Sequence, residues 1–308
     1  MNNYYRVLLM VSTAATICAM SNAQEADNPF TLSASAGYEF DSNLTIDAID
    51  SNNNVGDQAI VFDAAAGIEI IDSDEMGLSA GYDFYISKHD EFDNFDMSIH
   101  GFNIDSRYTV RGADLGLTIM YNTIGLGGDS FMDLTTIRPN VGYLMPSNKI
   151  YLLGAYEYQK HTFKQNALVA RDASRNSVSA KAIFILGGGK TATAGYEWTD
   201  HNTQDPGYSY TGSTFDFSAK LPIQMFDRET TVRAGYKYQS RGYQMASRRY
   251  NDGVIRDDNR HTLSTSWQVP IANGFFGEVD FEYISSSSNY EPVDYDETIT
   301  TFKIGWEF

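Results

Sequence analysis

Seven consecutive residues, Phe302-Lys303-Ile304-Gly305-Trp306-Glu307-Phe308, place an apolar side chain at every second position and a polar or small one between. A period of two describes a strand with one apolar and one wet face. The same period recurs in thirteen earlier segments. These are residues 30–40, 59–71, 77–86, 102–111, 115–123, 135–145, 149–159, 177–186, 191–199, 214–223, 230–239, 262–269 and 275–284, with 298–308 as the fourteenth. The links between them alternate in length. Short turns at 72–75, 112–114, 146–148, 187–190, 224–227 and 270–273 carry Gly, Pro, Asn and Asp, as tight reversals require. Long polar links fall at 41–57, 87–96, 124–130, 160–175, 200–213, 240–259 and 285–296.

The other end of the chain bears on where such strands could lie. Residues 1–23 have one early charge, Arg6, then an apolar stretch and Ser21-Asn22-Ala23, the pattern of a secretory signal peptide cut before Gln24. The only cysteine, Cys18, falls inside that segment, and Ile17 before it breaks a lipoprotein motif. No later stretch approaches 18 continuous apolar residues, so a membrane-spanning helix is not expected. Lipid leaves one alternative, a closed barrel that satisfies every backbone group between strands. A mean hydropathy of −0.35 alongside 21 Tyr and 18 Phe suits strands that alternate lipid-facing with water-facing residues.

The expected fold is therefore all-β: a transmembrane, antiparallel, up-and-down barrel of about fourteen strands in one domain, residues 24–308. An even count puts both ends of the barrel on the short-turn side. A soluble β-sandwich would have to hide its aromatic stripes between two sheets and does not explain the alternation of link lengths. Alternation sends Leu32, Ala36, Tyr38 and Phe40 outward and Ser35, Gly37 and Glu39 inward. Tyr82, Tyr158, Tyr196, Trp198, Tyr238 and Tyr283 mark one membrane interface, and Tyr143, Trp267, Trp306 and Phe308 the other. Two places strain the pattern. Pro139 removes a ladder donor and predicts a bulge or shift. A fourth strand starting at Met97 would run out of phase with Phe102 and Ile104.

The inward positions are charged. Pore-lining acids are Glu39, Asp63, Glu69, Asp83, Glu157, Glu197, Asp216, Glu278, Asp280 and Glu282; bases are Arg107, Arg138, Lys181, Lys220, Arg233, Lys237 and Lys303. The bases concentrate in the C-terminal half. Opposed walls would set a transverse field across a water-filled pore; a stabilising network of ion pairs is the other reading. Such an interior argues against greasy cargo. The net charge of −18 argues against nucleic acid as a partner. His89-Asp90 and Asp200-His201 pair an acid with a histidine but lack a serine partner, so no catalytic set is expected. Asp41, Asp47, Asp50 and Asp57 crowd the first long link without calcium-loop spacing, which leaves weak divalent binding or plain solvation. No cofactor or dedicated metal is expected.

A chain of such strands closing on an aromatic end resembles bacterial outer-membrane barrels. That resemblance implies the cell outer membrane, contact with its lipid and lipopolysaccharide, and insertion by the barrel-assembly machinery, with Phe302, Ile304, Trp306 and Phe308 as the assembly signal. The junction Gly37-Tyr38-Glu39-Phe40-Asp41-Ser42-Asn43 is similar to the Tyr-Asp-Ser-Asn signature of surface lipoprotein assembly modifiers and of related exopolysaccharide-associated barrels. Only residues 24–28 precede the first strand, where that family has a periplasmic repeat domain. Two functions follow as expectations. One is a porin-like channel passing small hydrophilic solutes. The other is the barrel of a secretion or surface-assembly system for lipoprotein or exopolysaccharide, working with a periplasmic partner.

Overall fold

The computed structural model describes residues 28–225, 227–245 and 254–308. The expected signal peptide lies outside the described residues, as does part of the link 240–259. Fourteen long strands follow one another: β1 Phe30–Asp41, β2 Asp57–Asp72, β3 Met76–His89, β4 Met97–Val110, β5 Ala113–Leu126, β6 Asp129–Leu144 and β7 Ile150–Phe163, then β8 Ala173–Gly187, β9 Lys190–Thr203, β10 Tyr210–Met225, β11 Arg228–Tyr243, β12 Asp257–Ala272, β13 Phe275–Ser288 and β14 Tyr295–Glu307. Each pairs antiparallel with its chain neighbours, and β1 pairs with β14 to close the barrel. Closure leaves no strand edge unpaired, which lipid demands. The last rung joins the two ends: the Phe308 amide donates to the Leu32 carbonyl at 2.9 Å, and the Leu32 amide donates back at 3.3 Å.

Turn chemistry explains the short end of the barrel. Arg111-Gly112 and Asn273-Gly274 take φ of 51° and 80°, and of 53° and 81°. Two consecutive positive values make the hairpin turn whose twist matches the flanking strands. At the opposite end, Gly127-Gly128 does the same work, with φ of 59° and 85°. The link expected as a long loop at 124–130 is thus a tight hairpin. Most other long links are also shorter than their sequence suggests, because strands extend beyond the alternating region at this end. β12 begins at Asp257 rather than 262, and β7 runs to Phe163 rather than 159.

The reason is visible in β4. Phe102 and Ile104 point to lipid, 53% and 50% exposed, whereas Met97 and Ile99 point inward and are buried. The strand starts at Met97 without any break in direction; its outward positions there are Ser98 and His100, so the apolar set moves to the inner face and the hydropathy pattern reverses phase while alternation in direction continues. Pro139 also behaves more simply than expected. The β6–β7 ladder is interrupted beside it but resumes in unchanged register, from Ile137↔Tyr158 to Asn140↔Ala155, with no bulge.

Outside, the apolar positions form a lipid-facing band. At the loop end its tyrosines anchor on polar neighbours: the hydroxyls of Tyr38, Tyr156, Tyr238 and Tyr283 donate to Asp90, Asn176, Asn259 and Asp296 at 2.8, 2.6, 2.7 and 3.1 Å.

Candidate functional site: the lumen and its inward-folded loop

Strand direction puts all seventeen of the expected lumen charges on inward faces, since Glu39, Asp63, Asp83, Arg138, Glu157, Glu197, Lys237, Asp280, Lys303 and the rest share parity with half-buried or buried neighbours. Several are brought together. Lys303 Nζ lies 3.4 Å from Asp63 and 3.8 Å from Asp280. To reach Asp63 on β2 it crosses β1 at Gly37, its direct partner in the ladder. A Cβ there would meet the Lys303 side chain and the Phe302 carbonyl, so the glycine is what lets the lysine pass. The Ser35 hydroxyl donates to the same Asp63 at 2.8 Å. Lys181 stands 3.7 Å from Asp216, and Arg138 stands 4.0 Å from Glu157. Glu39 accepts from the Thr301 hydroxyl at 2.9 Å, and Asn103 donates to Asp83 at 3.0 Å. Arg107 turns to the turn end, donating to the Ser73 carbonyl at 3.3 Å. Glu69 and Lys220, on inward faces near that end, are exposed. Paired charges therefore run through the lumen on both halves of the barrel.

The loop half differs from expectation. The link after β1 turns inward and lies in the mouth of the barrel. Ser42 N–H donates to the Thr298 carbonyl at 3.0 Å, the Leu44 amide donates to Val55 at 2.9 Å, and Thr45–Ile46 pairs with Ser51–Asn52 as a small hairpin. A 3-10 turn, Asp47–Ile49, forms its tip, ended by Asp50 at φ 52°. Leu44 and Ile46, 2% and 8% exposed, pack with Val61, Ile99, Met120, Met132 and Leu134 from the inner faces of β2 to β6. Burying two such side chains contributes about 3–6 kcal/mol by area. This wall is apolar in the loop half, not acidic, and a strictly charged interior is corrected accordingly.

The other side of the same hairpin is ionic. Asp47 receives both ends of the Arg260 guanidinium, at 2.6 and 2.8 Å, and has Arg241 at 3.5 Å. Asp50 accepts from Arg171 at 2.8 Å and Arg256 at 3.0 Å. Arg171 also donates to the Ala48 carbonyl at 3.2 Å. Each arginine lies over a tyrosine ring: Arg171 on Tyr208 at 4.0 Å, Arg256 on Tyr243 at 4.3 Å, Arg241 on Tyr210 at 5.1 Å and Arg260 on Tyr295 at 5.8 Å. Burial by itself would lift both carboxyls, but Arg260 and Arg241 beside Asp47, and Arg256 and Arg171 beside Asp50, hold them below the usual carboxylate range.

The four carboxylates of the first link are thus not gathered for a cation. Asp41 accepts from the Asn43 amide at 2.9 Å, and Asp57 accepts from the amides of Gln58, Glu91 and Phe92. Plain solvation is wrong for Asp47 and Asp50. The histidine-acid neighbours do not pair either: His89 approaches Asp96 at 3.5 Å rather than Asp90, and His201 stacks on Tyr210 at 4.7 Å. A cavity of about 90 Å3 remains beside the hairpin, lined by Asp47, Asp50, His161, His201, Arg171, Arg175 and Arg241.

Sequence reading missed the arginines. Arg171, Arg241 and Arg256 lie in the long polar links, and Arg175 ends one. The available signal was period two: Gln239, Arg241 and Tyr243, or Asp258, Arg260 and Thr262, continue the inward face past the lipid band. Leu44 and Ile46 show the same period within a polar link.

A closed fourteen-strand barrel with an aromatic-banded outer face and a lumen of paired charges is an outer-membrane β-barrel. A family model described as surface lipoprotein assembly modifier matches residues 25–308, and the chain belongs to that family. Its place is the outer membrane, in contact with lipid. No curated protein sequence matches the chain. Among solved structures it is similar to the anion-selective porin from Comamonas acidovorans, with 8% identity, TM-score 0.53, and 91% of this chain and 98% of that chain covered. It is also similar to CdiB from Acinetobacter baumannii, with 10% identity, TM-score 0.50, and 92% and 61% covered. At these identities the likeness concerns the fold.

Proposed function

We propose that this protein is a gated barrel of surface assembly, closed at its outer mouth in the resting state by the inward-folded hairpin, and opened when that hairpin leaves. One observation carries the gating: the hairpin is anchored on both walls at once, by Leu44 and Ile46 on the apolar side and by Asp47 and Asp50 on the arginine side. Family membership supports assembly at the surface as the task, with a periplasmic partner and insertion by the barrel-assembly machinery as parts of the proposal. In this reading the protein moves cargo and catalyses nothing. The apolar patch exposed by an open hairpin suits a lipidated or amphipathic segment better than an all-charged pore would.

A small-solute channel is the second reading, favoured by the inward charges at the turn end. Planar-bilayer recording separates resting states. The wild-type barrel should be nearly silent, and D47N/D50N should conduct steadily, because unpairing a buried ion pair costs about 3–5 kcal/mol. A wild type that conducts at full porin level, unchanged in D47N/D50N, would overturn the gate. For the task itself, a co-expressed lipoprotein should become accessible to protease on intact cells only when the barrel is present; equal accessibility without it refutes surface assembly.

A further inference from the structure

The arginine cluster is more than the hairpin's anchor. Arg171, Arg175, Arg241, Arg256 and Arg260 come from three separate parts of the chain and converge on one side of the lumen. The acids that grip them belong to two sources. Asp258 binds Arg256 through two bonds of 2.8 and 2.7 Å, and Glu197 binds Arg175 at 2.5 Å; both belong to the wall. Asp47 and Asp50 belong to the movable hairpin. When it leaves, the cluster becomes strongly cationic while its shape is kept by the tyrosine rings beneath four of the five guanidiniums. Planar forks fixed in this way match the geometry of carboxylate and phosphate. The cavity of about 90 Å3 lies against three of these arginines, Arg171, Arg175 and Arg241, and the two carboxylates, so a ligand group has a place to enter beside the docked hairpin.

We propose that the arginine–tyrosine cluster is a binding site for a ligand carrying at least two oxyanions, carboxylate or phosphate, and that Asp47 and Asp50 occupy it in the resting barrel as an internal substitute. The site holds whether the cargo is lipoprotein or small solute. A bound oxyanion competes with the hairpin for the same guanidiniums, so binding and undocking are one event. By linkage, any change that loosens the hairpin tightens the ligand.

Equilibrium calorimetry on the full barrel in detergent tests this without reference to conductance. The probes are tripolyphosphate and citrate, each against chloride at matched ionic strength. Wild type should bind weakly. D47N/D50N should bind at least ten times more tightly, and adding R241Q/R260Q should abolish saturable binding. Whichever of the two probes binds more tightly assigns the site to phosphate or to carboxylate. If D47N/D50N does not reach the folded, heat-modifiable form, L44S/I46S loosens the hairpin with every charge retained and should tighten binding in the same direction. Equal affinity in wild type and loosened variants, or no saturable binding of either probe in any folded variant, overturns the proposal. Binding with a silent wild-type bilayer, and a silent bilayer without binding, are separable results, so failure here leaves the gate standing or falling on its own test.

Discussion

At the scale of single residues, the decisive contacts are the two aspartates of the hairpin. Their carboxyls, lowered by neighbouring arginines against the pull of burial, make a definite statement about pH. An ordinary aspartate titrates near 3.9. Because the docked carboxyls titrate below that value, their contribution to docking is complete above it and is lost as pH falls through the docked pKa. Wild-type conductance should therefore stay flat and low from pH 8 down to about pH 5 and rise only in the acid range below about 4. Opening near pH 6 to 7 would mean that some group other than these two aspartates controls the hairpin. Gly37 is the second residue of this kind. Its role is to be absent as a side chain so that Lys303 can cross β1 to Asp63. G37V should lose that ion pair and force the β1–β14 seam apart, lowering the stability of the folded barrel by about 1–3 kcal/mol in heat-modifiability titrations. G37V of wild-type stability would mean that the crossing is dispensable.

At the scale of elements, the strands divide into three zones along their length. The lipid band alternates cleanly, and there the sequence places strands and faces directly: Leu32 to Phe40 on β1, Val279 to Tyr283 on β13, Phe302 to Phe308 at the end. Toward the loop end the inward position changes character while the strand continues. On β4 it becomes Met97 and Ile99; on β11 and β12 it becomes Arg241 and Arg260. Hydropathy alternation measures contrast between faces, so a strand polar on both faces, as at the loop ends of β11 and β12, disappears from it, and one whose apolar set moves to the inner face, as on β4, reads as out of phase. That is why strand ends are legible to within three residues at the turn end and fall up to six residues short at the loop end. The tight Gly127-Gly128 hairpin was hidden for the same reason, since Ile124 and Phe131 beside it are buried in the lumen.

At the scale of the whole molecule, the barrel has a polar, ion-paired inner half and an outer half split between an apolar and an arginine wall, bridged by one hairpin. In the proposed reading the outer half decides whether the path is open, and the inner half filters what passes. In the open D47N/D50N background, R233Q/K237Q should raise preference for cations in reversal-potential measurements, since two inward cations of β11 are removed. Unchanged selectivity would show that the filter lies elsewhere. The amino-acid sequence alone determined the compartment, the number of strands and the face of nearly every residue in the lipid band, because a bilayer imposes a period of two on each strand separately, and that rule is local. Only the tertiary structure decided that the first link turns inward. Its anchors lie far off in the chain, Asp47 on Arg260 and Leu44 beside Met132, and a contact between distant residues leaves no period in either segment. Closure of the barrel brings them within reach, so the gate and the arginine site belong to the folded molecule rather than to any stretch of its sequence.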